Sequence, residues 1–374
     1  MIKFWSYEIE YKKYKKSFLK GIDKTIKQGN IFFGKQLKIF EKKFIKLNKG
    51  KYGIAVGSGT EALFIALKTL HLKEGDEVIT AANTAIPTIS AIINAGGTPR
   101  LVDIGEDYLI DVDKIQKEIT KKTKAIIPVH LYGQVCNMNS IQNIAKKNNL
   151  IVIEDCAQSQ GAIYKKKFSG TIGKFGCFSF YPTKILGAYG DGGFILTNDI
   201  KAYKQIKRLR FYGIETEENN KFKNKYYSFE NGINSRLDEI QASILNFKLN
   251  KINFFINKRR EIAKKYIQKL SKTNLKLPIE NNNCKHVYHL FTVRHPKANL
   301  IKKRLFEYKV EARTIYPYPI HRMKAYEKII HNKLKLKESE KAANEIFSLP
   351  LYPELKNIEI NYICKSLIKV LEKI

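Results

Sequence analysis

The chain has 374 residues, 44% of them hydrophobic and 28% charged, a balance typical of a soluble globular protein large enough for two domains. No apolar run approaches the ~20 residues of a membrane span, and residues 1–16 lack the apolar core of a signal peptide. The formal net charge of +33 admits a nucleic-acid-binding protein, but the lysines are spread along the chain among 35 acidic residues, which favours a protein with no nucleic-acid partner.

The first 50 residues are basic and amphipathic. Helical periodicity covers 18–27 and 36–47, and the loop GNIFFG between them carries Phe32. An exposed aromatic residue in such a loop either packs against a neighbour or forms the wall of a pocket.

A strand is predicted over 52–56, followed by the turn Ser58–Gly59–Thr60 and a helix over 61–70. Small residues at such a turn let backbone N–H groups and hydroxyl groups approach an anion at the positive end of the helix. The turn lacks the pattern of a nucleotide-binding P-loop or of a dinucleotide fold.

Strand and helix signals then alternate, which predicts an α/β fold with a mostly parallel sheet flanked by helices. Such sheets bind ligands beyond the carboxyl ends of their strands. The predicted strands cover 77–80, 98–102, 125–129 and 150–154, and the helices between them cover 86–95, 111–119 and 139–148.

Two charged residues follow central strands. The buried strand over 150–154 runs into Asp155, and a second strand, over 177–180, leads to Lys184 and a Gly-rich segment. One lysine and one carboxylate are the charges that a pyridoxal-phosphate (PLP) enzyme requires. The lysine holds the aldehyde as a Schiff base, and the carboxylate keeps the pyridine nitrogen protonated.

The C-terminal third has a different pattern. A polar loop over 213–224 precedes a predicted long helix over 239–270, and mixed elements follow. We therefore expect a large PLP-binding α/β domain over 1–250 and a smaller α+β domain over 251–374. The later elements are a strand over 288–293, a Pro-rich loop over 316–321, and helices over 300–308, 338–347 and 358–371.

Five cysteines are scattered along the chain with no CxxC spacing, so they predict neither a disulfide framework nor a zinc site. This usage predicts a cytoplasmic protein without a bound metal.

Four segments, GSGTEAL, EDCAQSQGA, SFYPTK with its GAYGDGG tail, and NSRLDEIQA, resemble the DegT/DnrJ/EryC1/StrS aminotransferases. That family has the aspartate-aminotransferase fold (fold type I), uses PLP and acts on keto sugars attached to nucleotides. The similarity extends from GNIFFG to the Pro-rich loop, with the motifs in the order of the family.

The resemblance implies a role for each matching residue. Lys184 is the catalytic residue that binds the cofactor and later moves a proton to the sugar carbon. Asp155 pairs with the ring nitrogen, and Gln158 reaches the ring hydroxyl. Asn234 completes the phosphate site of the neighbouring subunit, so a homodimer with shared active sites is expected. The phosphate is held by Ser58, Gly59, Thr60 and Ser179.

Substrate contacts are expected from six residues. For His130 and His321 a structural role is the alternative, and for Arg236 the alternative to a diphosphate contact is a surface ion pair. Ala85 departs from the family, since many members place an aromatic residue there over the cofactor ring. The six residues are Phe32, His130, Tyr181, Arg236, Tyr316 and His321.

FYPTK with GAYGDGG, together with ANTAIPT at 82–88, resembles the branch of the family that aminates C-3 of dTDP-linked 3-keto-6-deoxyhexoses. The predicted product is a dTDP-3-amino-3,6-dideoxyhexose for a surface glycan such as lipopolysaccharide, with L-glutamate as the amino donor. Amination at C-4 of a dTDP- or UDP-4-keto sugar is the nearest alternative. A PLP-dependent sugar dehydratase is disfavoured, because such family members carry His where Lys184 stands.

Overall fold

A computed structural model of the protein describes residues 1–215, 226–330 and 335–374. Most of the polar loop predicted over 213–224 lies outside these ranges. The helices are α1 (Tyr7–Lys27), α2 (Lys35–Leu47), α3 (Gly59–Lys68), α4 (Ile86–Asn94), α5 (Val112–Glu118), α6 (Met138–Lys147), α7 (Ile200–Leu209), α8 (Glu239–Leu249), α9 (Ile252–Leu270), α10 (Ala298–Glu307), α11 (Lys337–Glu345) and α12 (Asn357–Leu371).

Short strands alternate with these helices. They are β1 (Tyr52–Val56), β2 (Glu77–Ala81), β3 (Thr98–Val102), β4 (Thr123–Ile127), β5 (Ile151–Asp155), β6 (Ile163–Tyr164), β7 (Lys167–Phe168), β8 (Phe175–Ser179), β9 (Gly193–Thr197), β10 (Cys284–Lys285), β11 (Phe291–Arg294) and β12 (Ile346–Leu349).

Seven strands form the central sheet in the order β1-β9-β8-β5-β4-β2-β3. Strand β9 runs antiparallel to both its neighbours, whereas β8, β5, β4, β2 and β3 pair in parallel. The α/β fold with a mostly parallel sheet is therefore confirmed. Because the parallel strands point the same way, the loops after β2, β4, β5 and β8 meet at one edge.

The sheet is buried on both faces. Val152 and Ile153 are neighbours on β5, yet they belong to two different apolar clusters, because successive side chains point to opposite faces. One cluster includes side chains of α1, α2, α6 and α8, and the other includes those of α3, α4 and α7. Burial on both faces explains why these strands appear as continuous apolar runs in the sequence.

A third apolar cluster is built around α9, α10, α12 and the β11–β12 pair. It gives the C-terminal part a core of its own. Residues Ile320 and Ile330, however, pack with the cluster on the α3 side of the sheet. The domain division after residue 250 stays a prediction.

Three predicted elements are wrong. The helix expected over 239–270 is two helices, because Lys251 has φ −113° and ψ 4°, outside the helical range. The helix expected over 338–347 ends at Glu345, and its last two residues belong to β12, which pairs with β11. The first helix begins at Tyr7, where Ser6 caps it, and not at residue 18.

Among the helices of the described ranges, none combines the length and the apolar content that crossing a lipid bilayer requires.

Candidate active site

A cavity of about 260 Å³ opens at the carboxyl edge of the central sheet. The loops after β1, β2, β5 and β8 contribute to it. Ala85, Pro87 and Ala157 are among its apolar lining residues. Nine residues to which the sequence assigned a role lie together here: Ser58, Gly59, Thr60, Asp155, Gln158, Ser179, Tyr181, Lys184 and Tyr316.

Lys184 lies on the turn after β8, where its backbone N–H donates to the carbonyl of Tyr181 at 2.9 Å. The turn is tight, since a Cβ on Gly187 would lie 2.3 Å from the carbonyl oxygen of Pro182. Burial lowers the pKa of the Lys184 amine to about 8, although the negative charge of Asp155 acts in the opposite direction. A neutral, nucleophilic amine is therefore accessible near neutral pH.

Asp155 is the last residue of β5, and its side chain is buried. Oxygen Oδ1 accepts the backbone N–H of Ala157 at 3.1 Å, and Oδ2 accepts the hydroxyl of Thr88 at 2.8 Å. Burial raises the pKa of this carboxyl group, while the two hydrogen bonds and the positive charge of Lys184 oppose the shift. The carboxylate has lone pairs that accept no hydrogen bond from these two donors, and a buried carboxylate of this kind favours a cationic partner.

The turn after β1 forms a narrow cradle. Ser58 caps α3 by accepting a backbone N–H of its first turn at 3.1 Å. A Cβ on Gly59 would lie 2.6 Å from the Cβ of Ser179, and one on Gly193 would lie 2.2 Å from the carbonyl oxygen of Ser58. Glycine is thus needed at both positions for this close approach. The N-terminus of α3, with Thr60 beside it, faces the cavity and suits a phosphate group.

Gln158 is held at both ends of its amide. Its Oε1 accepts the backbone N–H of Tyr132 at 2.8 Å, and its Nε2 donates to the hydroxyl of Tyr316 at 2.7 Å. The rings of Tyr132 and Tyr316 stack, with centroids 6.5 Å apart. Both tyrosines have left-handed backbone conformations, with φ of 57° and 65°, which is strain of the kind that clusters at functional sites.

His130 lies close to this site but does not line the cavity. Its Nε2 is 2.9 Å from the carboxylate of Glu154, and its Nδ1 accepts the backbone N–H of Cys136 at 3.2 Å. The ring is fully buried, which favours the structural alternative for His130, and its substrate contact stays a prediction.

Glu154 was assigned no role from the sequence. Its two oxygens accept the backbone N–H groups of Gly170, Ile172 and Gly173 at 2.6–2.8 Å, besides facing His130. The carboxylate is fully buried and anchors the loop before β8. The sequence offered one signal for this role. Glu154 precedes Asp155 on a buried strand, and because side chains alternate along a strand, its carboxylate must point to the opposite face and find partners there.

Four other predicted residues lie outside the cavity lining of this chain. His321 is buried, with Nε2 2.9 Å from Glu340. The Arg236 guanidinium lies 4.1 Å from the centroid of the Phe32 ring, and Phe32 is 43% exposed. Asn234 is exposed. The substrate and phosphate contacts of these four residues stay predictions.

The cavity fits PLP. The amine of Lys184 and the carboxylate of Asp155 share one space, the cradle at Gly59 suits the phosphate, and Gln158 offers an amide for a ring hydroxyl. When bound, PLP supplies an aldehyde for the lysine and a ring that accepts electrons once its nitrogen is protonated.

Residues 12–368 match the model of the DegT/DnrJ/EryC1/StrS aminotransferase family. A dTDP-3-amino-3,4,6-trideoxy-alpha-D-glucose transaminase from Micromonospora megalomicea subsp. nigra is 38% identical over 357 residues, 94% of each chain. A dTDP-3-amino-3,6-dideoxy-alpha-D-galactopyranose transaminase from Aneurinibacillus thermoaerophilus is 39% identical over 355 residues, 95% of each chain. Further relatives are named for UDP- and GDP-linked sugars.

Solved structures agree with this assignment. DesV from S. venezuelae, crystallised in complex with a ketimine intermediate, matches with a TM-score of 0.95 at 31% identity, covering 100% of this chain and 99% of that chain. Enzymes of the matched family depend on PLP, and one matched structure contains the cofactor in its PMP form. The chain therefore belongs to the DegT/DnrJ/EryC1/StrS aminotransferase family and is a PLP-dependent aminotransferase.

Proposed function

We propose that this enzyme transfers an amino group from L-glutamate to C-3 of a dTDP-linked 3-keto-6-deoxyhexose, giving a dTDP-3-amino-3,6-dideoxyhexose. The observation that carries the transamination is the shared cavity of Lys184 and Asp155 beside the Gly59 cradle. The choice of C-3 rests on FYPTK, on ANTAIPT at 82–88 and on the names of the two relatives that share 38% and 39% identity.

The residues divide the work by position. Lys184 combines a depressed amine pKa with a place in the cavity, so its amine would hold the cofactor through the aldehyde and would serve as the general acid and base that moves a proton. Asp155 would pair with the ring nitrogen and keep it protonated. Tyr181 is 50% exposed where the cavity opens, a place suited to the incoming sugar nucleotide. The strongly basic chain attracts this anionic substrate.

A homodimer with shared active sites is part of the proposal. Asn234 is exposed, and no hydrogen bond of its side chain occurs among residues 1–215, 226–330 and 335–374. Two residues along the chain, the Arg236 guanidinium stacks on the exposed ring of Phe32, and neither residue lines the cavity of the same subunit. A second copy would bring Asn234 to the phosphate site and Arg236 to the diphosphate of the sugar nucleotide bound by its neighbour.

We place this reaction in the cytoplasm. The five cysteines, Cys136, Cys156, Cys177, Cys284 and Cys364, are free thiols, as a reducing compartment maintains them.

The test is to supply the holoenzyme with L-glutamate and either a dTDP-3-keto- or a dTDP-4-keto-6-deoxyhexose, and to locate the new amine by NMR. We expect an amine at C-3, and no product from the matched Lys184→Ala variant. An amine formed only at C-4, or turnover only with a UDP- or GDP-linked ketone, would overturn the proposed substrate.

A further inference from the structure

A short chain of buried hydroxyl groups leads to Asp155. The Oγ1 atoms of Thr84 and Thr88 are 3.1 Å apart, and Thr88 Oγ1 donates to Asp155 Oδ2 at 2.8 Å. Thr88 is fully buried, Thr84 is 1% exposed and Asp155 is 5% exposed. Solvent therefore does not compete for these hydrogen bonds. We call Thr84 and Thr88 the threonine pair.

The direction of donation follows from chemistry. An ionised carboxylate only accepts hydrogen bonds, and a hydroxyl group has one proton to donate. The Thr88 hydroxyl therefore donates its hydrogen bond to Asp155, and the Thr84 hydroxyl donates to Thr88. Both protons point toward the carboxylate, and hydrogen bonds in such a sequence polarise and strengthen one another.

The threonine pair and Asp155 come from two strands of the sheet that are separated by a third. Thr84 and Thr88 lie in the loop after β2 and the first turn of α4, whereas Asp155 ends β5, and β4 lies between the two strands. The loop after β2 is fixed from outside, because the backbone N–H of Ile320 donates to the carbonyl of Ala82 at 3.0 Å. Thr88 thus approaches Asp155 from a rigid support.

The Asp155 carboxylate can accept further hydrogen bonds. Its carboxylate offers about four lone-pair sites, and the described residues fill two of them, from Thr88 and from the backbone of Ala157. The positive charges of Lys184 and His130 lower its pKa, and Tyr316, Cys156 and Cys177 are further titratable groups that interact electrostatically with it. Burial raises the pKa of this carboxyl group, and the bond from Thr88 opposes that shift.

We propose that Thr88, supported by Thr84, is a positioning residue that orients the Asp155 carboxylate toward the ring nitrogen of PLP and keeps it in the ionised, acceptor form. The inference rests on the proposed role of Asp155 as partner of that nitrogen. A protonated Asp155 would no longer balance a positive charge on the ring, and a rotated one would point its free lone pairs away from it.

The test compares two cofactors in the apo-protein. PLP and its 1-deaza analogue, in which carbon replaces the ring nitrogen, are titrated by absorbance to obtain each Kd. Thr88→Val removes the hydroxyl with little change of shape, and Thr88→Ser retains it. Thr84→Val removes only the supporting donor. Thr292→Val is the matched control, because Thr292 is a buried threonine on β11, with a hydroxyl 2.9 Å from that of Ser348.

We expect Thr88→Val to raise the Kd of PLP about tenfold, the effect of losing one hydrogen bond to a charged group, and to leave the Kd of the deaza analogue unchanged. Thr88→Ser should stay within about threefold of the wild type, Thr84→Val should fall between, and Thr292→Val should change neither Kd. Thermal unfolding of each apo-variant confirms that it is folded, and Thr84→Val carries the test if Thr88→Val does not fold.

Equal losses for both cofactors in Thr88→Val, or no loss for PLP, would overturn the positioning role of Thr88 and leave the proposed function intact. A wild-type protein that binds PLP no better than the deaza analogue would overturn the pairing of Asp155 with the ring, and this inference with it. A wild-type protein that binds neither would overturn the proposed function itself.

Discussion

Lys184 owes its reactivity to its place in the fold. An exposed lysine has a pKa of about 10.4, so very little of it is neutral at pH 7, whereas burial lowers the pKa of Lys184 to about 8. The nearby carboxylate of Asp155 limits the shift, because it stabilises the charged ammonium form. The charge states of the two residues are therefore coupled, and a cofactor ring paired with Asp155, as proposed, would change the pKa of both.

This balance predicts the pH dependence of labelling. In the apo-protein treated with trace acetic anhydride, the acetylation rate of Lys184 should rise about tenfold per pH unit up to pH ~8 and then level off, since only the neutral amine reacts. Exposed lysines in the same digest are the internal control, and their rates should still be rising at pH 9. A Lys184 rate that keeps pace with theirs would show that burial does not depress its pKa.

At the residue scale, the sequence predicted a role where the residue lies within a contiguous motif. Lys184 and Asp155 each follow a buried strand inside a long motif. The bond from Thr88 to Asp155 spans 67 residues of sequence, and nothing in the spacing announces it. The sequence left two roles open for His130, because a histidine in a loop at this edge of the sheet gives no sign of whether its ring faces the cavity or the core.

At the element scale, the turn that leads into α3 has room for glycine only at position 59. We expect Gly59→Ala to raise the Kd of PLP at least tenfold, since its Cβ would lie 2.6 Å from that of Ser179 and displace the phosphate cradle. Pyridoxal, which lacks the phosphate, should bind the variant and the wild type equally. Absorbance titrations of both ligands measure this difference.

Gly21→Ala in α1 is the matched control for this substitution. Its Cβ would have Ser243 Oγ as nearest neighbour at 3.4 Å, an ordinary contact, so PLP affinity should not change. If Gly59→Ala bound PLP as tightly as the Gly21→Ala protein, the cradle would not be the phosphate site.

The elements themselves were predictable where burial is uniform. The strand predicted over 52–56 matches β1, and that over 150–154 matches β5 to within one residue, because strands buried on both faces are short apolar runs. The break between α8 and α9 was missed, since the apolar periodicity continues through Lys251. Strand β12 was missed because its identity depends on pairing with β11, more than 50 residues away.

At the scale of the whole molecule, the proposed dimer predicts complementation. Lys184→Ala and Asn234→Ala homodimers should each be inactive or nearly so. Mixed dimers should recover one complete site, with Lys184 from one subunit and Asn234 from the other. After random subunit exchange, half of the dimers are mixed, so activity should return to about a quarter of the wild-type value.

Turnover is the measurement, and native mass spectrometry confirms the exchange. Mixed dimers that form and yet stay inactive would place Asn234 outside its neighbour's site.

The net charge of the whole chain does not by itself identify the ligand. A net charge of +33 is compatible with several classes of protein, and it gained meaning only when the cavity and the family were known. Charge describes how a surface attracts its ligands, and the fold decides which ligand has a site.

The central claim is that Lys184 is the residue that binds PLP covalently. It is tested most directly by reducing the PLP-loaded protein with borohydride, digesting it and determining the masses of the peptides. The account predicts a reduced pyridoxyl adduct on the peptide that contains Lys184, and its loss in Lys184→Arg. An unmodified Lys184 peptide, or the adduct on another lysine, would contradict it.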